Sequence, residues 1–272
     1  MDIKGRNVLV LMGDKRQEYL VEYLIAEDCN AIYESSVPSE EIGSLISKSD
    51  FVIAPIPFGL MNHNEERISK FTNMSILLGG CIPSKVKEYC SEKGIICYDF
   101  MEDEELAAYN AIATTEGAIA EAISNHPTNL RASKCLVLGY GKCGKELAIT
   151  LHHIGAKVTV GARKYDVLEE VMMQGLESID LNHDNRYKNE LSSKIGTYDY
   201  IFNTIPSVIM DRDLLQKVSK DSTIIDIASK PGGVDYEVVK ELQINAKLSL
   251  GLPGKYSPKS SAKGILECIK RI

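Results

Sequence analysis

Short apolar runs recur along this chain with polar, helix-period segments between them. Asn7-Val8-Leu9-Val10-Leu11-Met12 is nearly continuous apolar sequence ending at Gly13-Asp14, the pattern of a strand buried on both faces of a parallel sheet. Behind it, Tyr19, Leu20, Tyr23 and Leu24 fall on one face of a helix. Further strands are predicted at Asn30–Tyr33, Phe51–Ala54, Ser75–Leu78 and Gly94–Tyr98, with polar helices such as Ser84–Lys93 between them, which is βαβ rhythm. Asp103–Asn125, rich in Ala, Glu and Leu, opens on acidic residues and closes at His126-Pro127. It predicts one long helix linking two domains.

The rhythm restarts at Lys134. Cys135–Leu138 reads as a strand, Lys142–Ile154 as a helix, Lys157–Val160 as a strand and Tyr165–Gln174 as a helix. Tyr198–Phe202, Thr223–Ile227 and Lys247–Leu250 supply three more strands. The expected fold class is α/β with two domains. Residues 1–126 form a flavodoxin-like or Rossmann-like α/β domain that includes the linking helix at 103–125, and 127–272 form a doubly wound dinucleotide-binding Rossmann domain. A last helix at about 260–272 could pack back on the first domain.

Composition narrows the function classes. The 272 residues, 44% hydrophobic and 25% charged, are those of an ordinary globular protein. Thirty-one basic against 38 acidic residues, a net charge of −7, argue against a nucleic-acid footprint. The longest apolar stretch, Phe51–Met61, holds two prolines and a glycine and falls well short of the roughly 20 residues a membrane span needs. The start, Met1-Asp2-Ile3-Lys4-Gly5-Arg6, lacks a signal peptide's apolar core, so a cytoplasmic protein is expected. Seven scattered cysteines, with no Cys-x-x-Cys pair, are expected to be reduced and mostly buried, and Cys143 is the one whose location bears on function. Neither they nor the five histidines show metal-ligand spacing, so no metal is expected.

Gly139-Tyr140-Gly141-Lys142-Cys143-Gly144 fits G-x-G-x-x-G directly after an apolar strand and directly before an amphipathic helix. That context points to a dinucleotide site, the other reading being a degenerate Rossmann domain that no longer binds one. Gly139 permits the tight turn, Gly141 lets pyrophosphate approach the backbone, and Gly144 lets helix and strand pack closely. Lys142 and Cys143 lie at the helix start, whose free N–H groups attract phosphate. An NAD site places Asp or Glu at the end of the second strand, about 20 residues on. Here the chain reads Val160-Gly161-Ala162-Arg163-Lys164, with two cations and no carboxylate. Arg163 and Lys164 suit a 2′-phosphate, so NADP is expected over NAD, unless the pair is only a solvated helix start. Asn203-Thr204-Ile205-Pro206 and Asp226 through Gly233 close two later strands at the edge where open α/β sheets bind ligands. Asn203, Thr204, Pro206 and Asp226 are therefore further cofactor candidates, although the prolines and glycines also serve as turn residues.

Taken with Gly13-Asp14-Lys15-Arg16-Gln17, Tyr109 through Gly117 and Gly251-Leu252-Pro253-Gly254-Lys255, these motifs make the chain resemble the family of dipicolinate synthase A subunits over nearly its full length. The resemblance implies NADP-dependent oxidation, with dehydration, of 4-hydroxy-tetrahydrodipicolinate to pyridine-2,6-dicarboxylate. It further implies work in the cytoplasm of the mother cell of a sporulating bacterium, beside a flavoprotein-like B subunit. A substrate with two carboxylates needs cations or N–H donors. Arg16 and Lys230, each at a strand's carboxyl end, could face one another across an interdomain cleft, or be ordinary surface cations. Glu116 is the acid/base candidate, or half of an ion pair, with Thr115 and Asn110 beside it to orient groups. Two other readings stay open: a shikimate-type NADP dehydrogenase, for which no Lys/Asp pair stands in the first half, and a non-catalytic NADP-binding protein.

Overall fold

The computed structural model describes residues 2–58, 67–72, 75–182 and 185–272. The chain divides into two compact units, residues 1–110 with 253–272, and residues 111–252. This division falls inside the long helix, whereas the sequence pattern suggested a boundary at 126, and it assigns the final helix to the first unit.

The first unit is a five-stranded, wholly parallel sheet. Its strands are β1 (Asn7–Val10), β2 (Asn30–Tyr33), β3 (Phe51–Ile53), β4 (Ile76–Gly79) and β5 (Ile96–Asp99), in the order 2-1-3-4-5. That is the flavodoxin-like order, with its switch point between β1 and β3. Helices α1 (Lys15–Ala26), α2 (Ser39–Lys48) and α3 (Ser84–Lys93) cross over between strands, and Gly94 ends α3 in the left-handed conformation (φ 68°). Two cores flank the sheet. On one face Leu20 and Leu24 pack with Val8 and Val10, and on the other Leu9 and Leu11 pack with Ile42 and Ile46.

Helix α4 (Glu104–Ser124) leads into the second unit. Its six parallel strands are β6 (Lys134–Leu138), β7 (Lys157–Ala162), β8 (Glu177–Asp180), β9 (Tyr200–Asn203), β10 (Thr223–Asp226) and β11 (Asn245–Leu248), in the order 11-10-9-6-7-8. The order reverses between β6 and β9, as in a doubly wound dinucleotide fold. Helices α5 (Lys142–Ile154), α6 (Tyr165–Met173), α7 (Asn185–Lys194), α8 (Arg212–Leu215) and α9 (Tyr236–Leu242) connect the strands. The short α10 (Leu252–Tyr256) and the final α11 (Pro258–Arg271) then close the chain. In the first unit, Ala262, Ile265, Leu266, Cys268 and Ile269 of α11 join the core built around Leu20 and Leu24.

The central strands are legible because they are buried throughout: Cys135–Leu138 and Tyr200–Asn203 have no exposed residue. The edge strands differ. The sequence pattern does not reveal β8, in which Ile179 is the single buried position, and β11 lies two residues before the predicted Lys247–Leu250.

Candidate functional site

The switch point of the second unit is built by three glycines with three separate tasks. Gly139 leaves β6 at φ 95°, and a Cβ there would meet Thr204 Oγ1 at 2.3 Å. A Cβ on Gly144 would stand 2.3 Å from the Gly139 carbonyl oxygen, so only glycine lets α5 approach β6 this closely. A Cβ on Gly141 would meet nothing within 4 Å. Gly141 thus leaves open space beside the amino end of α5, of which it is the N-cap, with no side-chain cap and no acidic residue in the first turn. Free N–H groups and the positive end of the helix dipole are what a pyrophosphate requires. Thr204 ties β9 to this turn, because its N–H and its hydroxyl both donate to the Leu138 carbonyl at 2.9 Å.

A cavity of about 290 Å³ opens beside the glycine turn, lined by Gly139, Tyr140, Gly141, Ala162, Arg163, Lys164, Val167 and Ile205. The two cations are exposed, and neither makes an ion pair among the described residues. β7 runs two residues beyond the predicted Val160, so Arg163 follows it directly. Lys164 is the N-cap of α6, where it makes no side-chain cap bond. Lysine is a poor residue there on two counts: it cannot accept from the first N–H groups, and its charge opposes the dipole. Lys164→Ser should therefore stabilise the free protein by about 1 kcal/mol, read in urea denaturation. The same variant should weaken binding of any anion at this turn, so a gain in both properties would count against an anion site.

Lys142 is exposed, whereas Cys143 is half-buried. Burial pushes the Cys143 thiol up, and a hydrogen bond with Thr114 partly opposes this. Asn203 and Asp226 have a task that sequence position did not disclose. Both are fully buried. Asn203 Nδ2 donates to Asp226 Oδ1 (2.8 Å) and to the Ile205 carbonyl (3.0 Å). Asp226 also accepts from the N–H groups of Ala228 (3.1 Å) and Gly233 (2.8 Å) and from the Tyr236 hydroxyl (3.1 Å). Burial, with the Asp226 charge beside it, pushes the Tyr236 phenol up. These two side chains shape the loops after β9 and β10 and offer little surface to a ligand, while Pro206 and Lys230 stand exposed on those loops.

On α4, Glu116 is exposed and makes no ion pair among the described residues. Thr115 is buried, and its hydroxyl has no hydrogen-bond partner among them. Asn110, half-buried, lies at the end of the first unit's share of the helix.

In the first unit, of the two readings of Arg16, the ordinary surface cation is the one its burial contradicts. Its side chain is 6% exposed and gripped by Asp14, the N-cap of α1. Nε donates to the Asp14 carboxylate at 2.9 and 3.0 Å, and Nη2 donates to Asp14 Oδ2 and to the Ile56 carbonyl, each at 2.6 Å. The signal was present as an Asp two residues before the Arg at a helix start. Gly254 presses on this pair, since a Cβ there would lie 2.3 Å from Asp14 Oδ2. That contact explains one glycine of the Gly251–Lys255 motif. Glu34, at the end of β2, is likewise consumed internally by the Met12 N–H (2.6 Å) and Arg67 (2.6 Å). The amino end of α1 therefore already carries its own carboxylate, while that of α5 carries none.

Among the described residues, no group of His, Cys, Asp and Glu could hold a metal ion, the seven cysteines are free, and no helix is long and apolar enough to cross a membrane. Four of the cysteines are buried; Cys81, Cys97 and Cys143 are not.

Known proteins resemble the chain over its whole length. The dipicolinate synthase A subunit of Bacillus subtilis (strain 168) is 26% identical over 99% of this chain and 96% of the relative. The crystal structure of the dipicolinate synthase A subunit from Bacillus halodurans superposes with a TM-score of 0.85 at 24% identity, covering 100% of this chain and 98% of that one. A transhydrogenase from Sinorhizobium meliloti gives 0.71 at 16% identity, covering 97% and 92%. These two share the fold. Residues 106–241, half of the chain, match the model of the alanine dehydrogenase/PNT C-terminal domain, and the chain belongs to that family.

Proposed function

We propose that the chain is an NADP-dependent oxidoreductase that serves as the A subunit of a dipicolinate synthase, oxidising 4-hydroxy-tetrahydrodipicolinate, with loss of water, to pyridine-2,6-dicarboxylate. The observation that carries the cofactor assignment is the β7–α6 turn: two cations without an ion pair among the described residues and an uncapped helix start share one cavity with the glycine turn. The open space at Gly141 fits a pyrophosphate. Bound NADP would supply the acceptor for the electron pair that leaves the substrate ring.

The chain's own residues supply the rest. Gly139, Gly141 and the N–H groups at Lys142 and Cys143 hold the dinucleotide phosphates, and Arg163 and Lys164 hold the 2′-phosphate. Glu116, exposed and without an ion pair among the described residues, is the candidate to move a proton during loss of the hydroxyl, with Thr115 and Asn110 as the further candidates on the same helix. Lys230, exposed and without an ion pair among the described residues, is the cation proposed for a substrate carboxylate. Arg16, held by Asp14 and the Ile56 carbonyl, is proposed to shape the turn after β1 and not to meet a carboxylate as a bare charge. The ring becomes aromatic, so positioning of the reacting groups outweighs a strong base. A flavoprotein-like B subunit is the proposed partner, and spore formation in the mother-cell cytoplasm is the proposed setting; both rest on the likeness to the dipicolinate synthase A subunit of Bacillus subtilis.

Arg163→Ala should reduce NADP affinity about ten- to a hundred-fold, the worth of one charge-assisted contact, and leave NAD affinity within about twofold. Equal losses for both cofactors would remove the 2′-phosphate assignment. The reaction is tested by supplying NADP, the hydroxylated substrate and the flavoprotein-like partner and following pyridine absorbance. A chain that binds NADP but forms no product under those conditions is a cofactor-binding protein and not an oxidoreductase.

A further inference from the structure

We infer that Asn182, outside every motif discussed above, is a positioning residue that selects the cofactor by holding the Arg163–Lys164 turn in place. The inference rests on the NADP reading and deepens it.

The turn is fastened along one side by the segment that follows β8. The Leu181 N–H donates to the Ala162 carbonyl at 2.8 Å, extending the β7–β8 ladder by one bond. One residue further on, where the ladder has ended, Asn182 continues it with its side chain: Nδ2 donates to the Arg163 carbonyl at 2.6 Å. The Asn182 N–H donates to Asp180 Oδ1 at 2.8 Å, so the asparagine is itself held by a local turn. Asp180 is the residue paired with Ala162 at the end of the β7–β8 register. A carboxylate one strand away from two unpaired cations would otherwise be free to compete for them. Engaging one of its oxygens with a backbone N–H keeps it turned to its own loop.

Two peptide carbonyls in succession, those of Ala162 and Arg163, are therefore fixed before the chain enters α6 at Lys164. Fixing both orients the peptide planes on either side of Arg163, which sets where its side chain and the first N–H groups of α6 point. Arginine and lysine carry about 2 kcal/mol of rotamer entropy each. A rigid backbone at their root is what limits how much ordering a bound phosphate must still impose. The pyrophosphate shared by NAD and NADP depends instead on the glycine turn, with which Asn182 makes none of its hydrogen bonds among the described residues. The residue should thus act on the difference between the two cofactors and hardly on what they have in common.

The test measures NADP and NAD binding by the full chain carrying Asn182→Ala, Asn182→Gln, Arg163→Ala, or Asn182→Ala with Arg163→Ala. Asn182→Ala should lower NADP affinity roughly tenfold and NAD affinity by less than about twofold, the loss of one buttressing hydrogen bond at an exposed site. Asn182→Gln, which keeps the amide donor, should recover part of the loss. In the Arg163→Ala background, Asn182→Ala should cost clearly less than it does alone, because only Lys164 and the α6 N–H groups are then left for it to position. Equal losses for NAD and NADP, or full additivity in the double variant, would overturn the positioning role while leaving the 2′-phosphate assignment standing. If Arg163→Ala itself fails to separate the two cofactors, the NADP reading falls, and this inference with it.

Discussion

Gly141→Ala is expected to fold nearly as well as the native chain and yet to lose dinucleotide binding, whereas Gly144→Ala should lose both. The two glycines stand three residues apart in one motif but have opposite surroundings. At Gly141 the backbone is ordinary (φ −72°, ψ −172°), and an added methyl meets nothing, so the cost to the free protein is about 1 kcal/mol at most, that of a poorer N-cap. The methyl then fills the space through which pyrophosphate must approach the α5 N–H groups. At Gly144 the methyl would lie 2.3 Å from a backbone oxygen that cannot swing away as a side chain could. Relief requires α5 to shift off β6, at the cost of overpacking, typically about 1–3 kcal/mol, and the phosphate cradle moves with it. Urea denaturation and cofactor titration on both variants check the contrast. A Gly141→Ala chain that binds NADP normally would mean that the dinucleotide does not pass this point.

The second large effect is expected in the first unit. Asp14→Ala should destabilise it by about 3 kcal/mol, because the Arg16 guanidinium is left 6% exposed without its partner. The figure sits at the low end of the range for broken buried pairs, since the Asp14 side chain is itself about a third exposed (34%). Asp14→Ala combined with Arg16→Met should recover most of the loss by removing the stranded charge along with its counter-ion. Urea unfolding of the native chain, Asp14→Ala, Arg16→Met and the double variant gives the coupling. A double variant no more stable than Asp14→Ala would show that Arg16 serves packing and not charge balance.

Strands buried on both faces write themselves into the chain as apolar runs, which is why β1, β6, β9 and β10 are legible to within a residue or two. The fingerprint is equally legible, because turn, approach and packing each demand glycine at a fixed offset. β8 has one buried side chain, and an edge strand with polar neighbours has no periodicity to detect. Its invisibility also hid Asn182, whose role depends on which strand lies beside β7. Asn203 and Asp226 end β9 and β10, as the sequence places them, while Arg16 stands in the first turn of α1. Sequence did not reveal that Asn203 and Asp226 bond each other and loop backbone, or that Arg16 reaches the Ile56 carbonyl, because those contacts are settled by distances in the folded chain. Asp226 and Gly233 are near in sequence, but Arg16 and Ile56 are 40 residues apart.

The assignment of α11 to the first unit has a consequence for the order in which the protein is made. Residues 111–252 are contiguous, so the second unit is complete once its own segment is. The first unit is not, since Ala262, Ile265, Leu266, Cys268 and Ile269 are part of the core that covers Leu20 and Leu24. Its sheet, translated before residues 111–252, has only part of that apolar face covered, by α1, until residues 253–272 follow. The unit whose sheet is translated earlier is therefore the unit completed later.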